Sequence, residues 1–317
     1  MQAYLDYLLG QGRASTARTV HTVLDQYAAF LATRQRTPAS ATAADVGAYR
    51  LHLASAAAST TGGPLAVSTQ ASRLASVKGF HRFLRRRGLV VHDVTQTLEL
   101  PRFTRRTVRK DWLDQQEAQA LLATAAERVA EHPTGGLSWA VASRDLAVVA
   151  LALATGRRRS GLCGLRLRDL DPEESELRVA WEKGRPGRVL PVAGWAVRLV
   201  VHYRDRARPI LLAGRTADWL FVGQHSDRLA VETYVAMLNR LHARTCASHP
   251  DLRDLPAKRL TTHSLRVTFA RTLFANGCNI RSINEMMLHT KLSTTAAYTP
   301  IPLEEMRRVL RAAHPRA

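Results

Sequence analysis

Apolar residues in the first third of the chain recur at steps of three and four, which is the period of an amphipathic helix. The two clearest series are Val20, Val23, Leu24, Tyr27 and Leu31, and Leu74, Val77, Phe80 and Leu84. The second series follows Ser68, a residue type that often caps helices, and ends at Gly88, which suits a left-handed helix stop. The pattern predicts about four helices and an all-α segment.

The pattern changes after residue 112. Asp114, followed three residues later by Glu117, predicts a capped helix start. The apolar run RDLAVVALALATG predicts a buried helix that ends at Gly156, and residues 177–181 and 188–192 flank turn residues as in a β-hairpin. Further helices are predicted at about 230–248, 263–276 and 280–288, after Ser293 and from Leu303. The expected fold class is mainly α with a small β-sheet or hairpin: an all-α N-terminal domain followed along the chain by an α+β domain.

Charge points to a nucleic-acid partner. Lys and Arg number 46 against 26 Asp and Glu, so the formal net charge is +20 and the pI is about 11.1. Residues 1–110 hold 16 basic and 5 acidic residues, a net +11, and residues 111–317 hold 30 and 21, a net +9. The arginines near 82–87 would give the second helical series a positive face. Such a face is either simply solvated or placed against DNA phosphates, and the total charge favours phosphates.

A basic segment separates the two patterns. The stretch ELPRFTRRTVRKDW has a proline, five basic residues among positions 101–110 and no apolar periodicity, so it is interpreted as a linker. The predicted organisation is a helical domain at 1–98, a linker at 99–112 and a second domain at 113–317.

The cysteines and the N-terminus bear on the compartment. Cys163, Cys246 and Cys278 are far apart and odd in number, which favours a reducing, cytoplasmic setting over a disulfide framework. The opening MQAYLDYLLGQGR has an acid within a short apolar run and no cleavage signature, and no uninterrupted run of about 18 apolar residues occurs. We expect neither export nor a membrane span.

Four separated pieces of the second domain place ionisable residues at turns or helix edges. They are TGRRRSGL at 155–162, WEKGRPGRVLPV at 181–192, HSLRVTFA at 263–270 and LHTKLSTTAAYT at 288–299. Taken singly, each has an ordinary explanation as a solvated arginine, a hairpin lysine, a helix cap or a core tyrosine. Their combination and order carry the functional hypothesis.

Together these pieces resemble the tyrosine recombinase family, also called phage integrases, over essentially the whole chain. The family pattern is arginine, lysine, histidine-x-x-arginine, histidine or tryptophan, then tyrosine. The matching residues here are Arg158, Lys183, His263, Arg266, His289 and Tyr298. The resemblance implies a SAM-like core-binding domain at 1–98, a catalytic domain at 113–317, and a tail, LEEMRRVLRAAHPRA, similar to that of Xer-type recombinases.

Three positions depart from the family pattern. Gly161 stands where the first arginine box commonly has an acid, Val267 replaces a frequent histidine, and Leu288 replaces the common glycine before His289. None of the three removes a group that would touch phosphate. Gly161 does remove a carboxylate that would orient a cationic neighbour.

The implied reaction is cleavage and rejoining of DNA through a 3′-phosphotyrosine, with strands exchanged between two sites in integration, excision or dimer resolution. Tyr298 would be the nucleophile, Arg158 and Arg266 would neutralise the phosphate, and Lys183 would protonate the leaving hydroxyl. His263 and His289 would bind the same oxygens or manage the tyrosine proton. No cofactor and no metal are implied.

The expected partners are double-stranded DNA and further copies of the chain, or a related recombinase, in a tetramer on two DNA sites. Two alternatives stay open. One is a type IB topoisomerase-like activity on a single duplex. The other is a catalytically impaired DNA-binding protein of the same fold, for which Gly161 and Leu288 are the relevant residues.

Overall fold

The computed structural model describes residues 1–55, 63–102, 111–179 and 187–288. Contacts divide the chain into two compact units, Met1–Thr107 and Val108–Ala317. The fold is mostly helical with one small antiparallel sheet, as the hydrophobic pattern predicts.

The described part of the first unit contains four helices and no strand. They are α1 (Gln2–Gly10), α2 (Ala14–Ala32), α3 (Ala43–Ala54) and α4 (Val67–Arg86). The helix α4 is followed by Gly88 in the left-handed conformation, with a φ of 68°. The prediction of a cap at Ser68 is wrong: α4 begins one residue earlier, so this serine lies inside the first turn.

The core of the first unit forms where α1, α2, α3 and α4 pack together. Tyr27 of α2 is fully buried against Tyr49 of α3, with 4.8 Å between ring centroids. The Tyr27 hydroxyl lies 3.0 Å from Nε2 of His81, a buried histidine of α4. Burial of the imidazole lowers the pKa of His81, so a hydrogen bond with a neutral partner suits this site.

The second unit contains eight α-helices and a three-stranded sheet within its described residues. The helices are α5 (Gln115–Ala130), α6 (Leu137–Thr155), α7 (Arg159–Cys163), α8 (Gly194–His202), α9 (Arg208–Leu212), α10 (Val231–Ser248), α11 (Thr262–Ala275) and α12 (Ile280–Met286). Asp114 and Glu117 form the predicted capping box at the start of α5. The pattern did not predict α8 and α9, because a π-turn at Tyr203–Ala207 and Pro209 interrupt the 3.6-residue period there.

The helix α6 is the centre of the second core. It is long and apolar enough to cross a membrane by composition alone, with a mean hydropathy of 1.6, but 72% of that window is buried inside the protein. Its two charged residues, Arg144 and Asp145, pair with each other at 2.7 Å. The helix is therefore a core element whose apolar surface is covered by α5, α8 and α11.

The sheet joins β1 (Leu170–Asp171), β2 (Glu176–Val179) and β3 (Arg188–Pro191) in that order, all antiparallel. Strands β2 and β3 are the two predicted hairpin strands, with Leu177 paired to Leu190. Strand β1 was not predicted, because two residues are too short to show an alternating pattern.

Candidate active site

The end of α6 and the middle of α11 approach each other at Gly156. This glycine ends α6 in the left-handed conformation, with a φ of 56°. A Cβ at the same position would lie 2.5 Å from Cδ1 of Phe269 on α11. Both the backbone conformation and the close approach therefore require glycine. The approach brings the motif piece at 155–162 next to the one at 263–270.

Arg158 follows two residues after Gly156. It is the N-cap residue of α7 in an extended conformation, and its side chain is exposed. An arginine between a left-handed glycine and a short helix has its backbone position set by both, and the exposed side chain is accessible from solvent. This is a suitable arrangement for binding an anionic group from outside the protein.

Arg266 lies on α11 and is only 3% exposed. Its Nη1 donates to the Gly156 carbonyl at 2.5 Å, and its Nη2 donates to the Met287 carbonyl. One guanidinium therefore ties the end of α6 to the end of α12. Two backbone carbonyls hold the planar group in a fixed orientation, as bidentate binding of phosphate requires.

His263 occupies the first turn of α11, where Thr261 caps the helix through the Ser264 N–H. The pKa of His263 is lowered, first by partial desolvation and then by the positive charges of Arg266 and Arg158. Because both arginines act on its charge, the three side chains share one electrostatic environment. The structure brings these three predicted site residues together.

The helix α11 is anchored to the beginning of the unit. Lys258, four residues before α11, donates to both carboxylate oxygens of Glu117 on α5, at 2.6 and 2.5 Å. Thr268 accepts from the Leu113 N–H at 2.9 Å, and Arg271 stacks 4.0 Å from the Trp112 ring centre. These contacts join the site to α5 and to residues 112 and 113, where the predicted linker ends.

Lys183, His289 and Tyr298 lie outside the described residues, so the structure does not place them. The residue next to His289 is informative. Leu288 has a φ of 53°, in the left-handed region, and its N–H donates to the Glu285 carbonyl at 3.0 Å. This geometry explains why glycine is common here in the family pattern, since a leucine adopts it only with strain.

Sequence reasoning missed the backbone acceptors that hold Arg266, at Gly156 and Met287. The glycine was visible in the sequence as a helix stop, but nothing in its spacing indicated that its carbonyl would face a residue 110 positions later. Among the described residues, no three His, Cys, Asp or Glu side chains group as a metal site would require.

The first unit carries a separate basic groove of about 480 Å³. Its lining residues are Lys78, Arg82, Arg85, Arg86, Asp93 and Gln96. Four of these are cations on one side of α4, while the buried residues of that helix face the core. The predicted positive face is therefore present and forms a concave surface.

Comparison with known proteins gives matches along both units. Residues 111–303 match the model of the phage integrase family, and residues 1–88 match that of the phage integrase N-terminal SAM-like domain. The chain is 32% identical over 247 residues to tyrosine recombinase XerD of Halalkalibacterium halodurans, covering 78% of this chain and 75% of that protein. It is 33% identical over 305 residues to tyrosine recombinase XerC of Rhodospirillum centenum, covering 95% and 82%.

Solved structures have the same fold. A crystal structure of the XerH site-specific recombinase bound to its difH substrate, in a pre-cleavage complex, superposes with a TM-score of 0.61 at 16% identity. It covers 91% of this chain and 75% of that one. The family model covers the α6–α11 site and the undescribed residues that carry Lys183, His289 and Tyr298. The chain therefore belongs to the phage integrase family and is a site-specific tyrosine recombinase.

Proposed function

We propose that the catalytic residues of this recombinase are Arg158, Lys183, His263, Arg266, His289 and Tyr298. The observation that carries the proposal is the grouping of Arg158, His263 and Arg266 where the end of α6 meets α11. Of the remaining three residues, Lys183 falls between β2 and β3 in the sequence, and His289 and Tyr298 follow α12.

The two arginines neutralise the phosphodiester at the transition state. Charge on the nonbridging oxygens grows as the bond to phosphorus forms, and fixed guanidinium groups stabilise it without reorganising. Arg266 is held by two carbonyls, and Arg158 extends from a fixed backbone. The pKa of His263 is lowered by burial and then by the charges of these two arginines, which favours the neutral imidazole that can accept a proton.

Tyr298 attacks the phosphorus: its phenolic proton passes to His263 or His289, its oxygen forms the new P–O bond, and the bond from phosphorus to the 5′ oxygen of DNA breaks. That oxygen requires a proton because an alkoxide is too basic to leave unaided. We assign the donor to Lys183. Attack by a 5′ hydroxyl on the phosphotyrosine reverses the step, with the phenolate leaving, so the phosphodiester energy is conserved.

We further propose that residues 1–98 and 113–317, joined by the linker at 99–112, both bind double-stranded DNA. The support is the net charge of +20 and the basic groove on α4. The recombinases in the solved complexes are DNA-bound, as the XerH complex illustrates. A reducing, cytoplasmic location fits the three cysteines, which are all unpaired with one another.

Capture of a covalent adduct tests the proposal. The protein is incubated with a library of nicked, randomised duplexes, the trapped protein–DNA adducts are isolated, and their DNA is sequenced to define the site. Wild-type protein should form an adduct through Tyr298, and Tyr298→Phe should bind the selected site with unchanged affinity but form none. An adduct formed by Tyr298→Phe would overturn the assignment, and no adduct from wild type would favour a DNA-binding protein without activity.

The role of Lys183 has its own test. Lys183→Ala should cleave slowly on ordinary DNA and recover on DNA whose scissile 5′ oxygen is replaced by sulfur, because a thiolate leaves without a proton. An equal defect on both substrates would move the general acid to another residue.

We also propose that four copies assemble on two DNA sites, with the tail at 303–317 docking in trans. In the tail sequence, Leu303, Met306 and Leu310 are three and four residues apart, a spacing that predicts a narrow apolar stripe on a helix. Deleting the tail should leave binding to one site intact and abolish pairing of two sites. Native gels with two labelled sites measure this, and four-subunit complexes that persist without the tail would refute the docking.

Strand transfer between the two labelled duplexes separates recombination from topoisomerase-like activity.

A further inference from the structure

Arg228 lies outside every motif piece, yet its side chain contacts the first arginine box. Its Nε donates to the Cys163 carbonyl at 2.9 Å, and its Nη2 lies 3.4 Å from the Ser160 carbonyl. Both acceptors belong to α7, the five-residue helix for which Arg158 is the N-cap residue. An arginine 70 positions further along the chain therefore holds the helix on which a catalytic arginine is mounted.

A helix this short needs such a contact. The last carbonyls of a helix have no partner within it, and a five-residue helix has few internal hydrogen bonds to hold it. A guanidinium supplies both hydrogen bonds and positive charge at the C-terminal end, where positive charge is favourable. Shifting α7 along its axis would move Arg158, because no residue separates that arginine from the first turn.

Gly164 leaves the space that Arg228 occupies. A Cβ on this glycine would lie 3.0 Å from Nη2 of Arg228 and 2.9 Å from the Ser160 carbonyl oxygen. The φ of Gly164 is −96°, which any residue adopts. The glycine is therefore required for the approach of the guanidinium and of the preceding turn, and not for its own backbone conformation.

Arg228 is itself held on a firm support. Its guanidinium lies 4.6 Å from the centre of the half-buried Trp219 ring, and Arg166 stacks on the same ring at 4.5 Å. The segment that carries Trp219 is paired with the residues after α7, because the Leu220 N–H donates to the Leu165 carbonyl at 2.8 Å. A tight turn, in which the Gly223 N–H donates to the Ser226 carbonyl at 2.9 Å, brings the chain back to Arg228.

We propose that Arg228 is a positioning residue that holds α7, and through it Arg158, in the geometry needed for phosphate binding. It supports the first arginine box in a chain where Gly161 supplies no carboxylate to that box. The inference rests on the proposed role of Arg158.

The test is single-turnover adduct formation on the selected nicked duplex, with duplex affinity measured beside it. Arg228→Met should reduce the rate of adduct formation by about 10- to 100-fold, because small displacements of catalytic groups have effects of that size. Affinity for the duplex should change by less than about threefold, since one exposed charge among many is removed. Gly164→Ala should cause the same rate defect, because its Cβ would occupy space that the Arg228 guanidinium needs.

The matched control is Arg244→Met. Arg244 also bonds across two elements, to Glu131, and its loss removes the same charge without touching α7. This variant should keep the wild-type rate. A rate for Arg228→Met equal to that of Arg244→Met would overturn the inference.

A double-mutant cycle separates positioning from general destabilisation. If Arg228 acts through Arg158, then Arg228→Met should slow the Arg158→Lys protein by much less than it slows wild type, because the two residues act as a unit. Full additivity would overturn the inference. If Arg228→Met does not fold, the same cycle and criteria apply to Arg228→Lys, which keeps the positive charge but has one donor nitrogen in place of three. A wild-type protein that forms no adduct would overturn the proposed function itself, whereas the additive cycle overturns only the role of Arg228.

Discussion

The ion pair between Lys258 and Glu117 should be the strongest single link between α11 and the start of the catalytic unit. The Glu117 side chain is 2% exposed and that of Lys258 is 14% exposed. Besides the ammonium group, the carboxylate accepts from the Asp114 N–H at 2.8 Å. Lys258→Met keeps the length of the stem but leaves a buried carboxylate with only that backbone donor among the contacts described.

The magnitude follows from burial. Removing one partner of a buried ion pair costs about 3 to 5 kcal/mol, because the remaining charge stays desolvated. Since Lys258 is partly exposed, water can replace some of its hydrogen bonds, and we expect about 3 kcal/mol. In a unit of roughly 200 residues, each kcal/mol lowers the melting temperature by about 2 to 4 °C. The expected loss is therefore about 6 to 12 °C.

Differential scanning calorimetry at pH 7 measures the change. Two comparisons define it: the double variant Lys258→Met with Glu117→Gln, and Arg178→Met. The double variant should recover part of the loss, since the unpaired charge is gone. Arg178 pairs with Asp171 at the surface, with side-chain exposures of 60% and 26%, and its loss should cost less than about 1 kcal/mol. A Lys258→Met melting temperature equal to that of Arg178→Met would refute the reasoning.

Four further predictions concern the site. Arg266→Lys should lower the cleavage rate by orders of magnitude with little change in DNA affinity. The reason is that an ammonium group cannot bind the Gly156 and Met287 carbonyls and the phosphate together in one plane. Equal losses in binding and cleavage assays would contradict this. Leu288→Gly should be more stable than Leu288→Ala by about 1 kcal/mol in urea unfolding, since both lose the side chain and only glycine relieves the left-handed strain; an alanine variant of equal stability would show that the strain is absent. The pKa of His263 in the folded protein lies below the ordinary 6.5, so the histidine should stay neutral until the pH falls below 6.5 and through that lowered value. Its protonation should then reduce cleavage and some of the protein's stability. A rate profile whose acid limb lies above pH 6.5 would be inconsistent with the structure. DNA binding should weaken steeply with salt, with a log–log slope of about −0.9 per phosphate contacted, and a flat response in titrations would argue against two basic DNA-binding units.

The sequence alone determined most of the helices, the two hairpin strands and the chemical types at the site, but not α8 and α9. Helical periodicity depends on residues within a few turns of one another, so α4, α6 and α11 could be predicted from local patterns. The same is true of caps such as Asp114 with Glu117, whose hydrogen bonds span three residues. The order of the six motif residues carried the family resemblance because chemistry dictates residue types directly.

Tertiary structure decided what those residues touch. The carbonyls of Gly156 and Met287, which orient Arg266, come from helix ends 110 and 21 residues away, and backbone acceptors leave no trace in side-chain patterns. The left-handed conformation of Leu288 had only an indirect sign, the glycine common at this position in the family pattern, because leucine itself does not indicate it. In the sequence, Arg228 looks like any other surface charge. In the folded protein, the turn at 223–226 and the Trp219 ring place its side chain against α7. Contacts over such separations depend on how all the elements pack, which is why folding, and not local preference, completes the site.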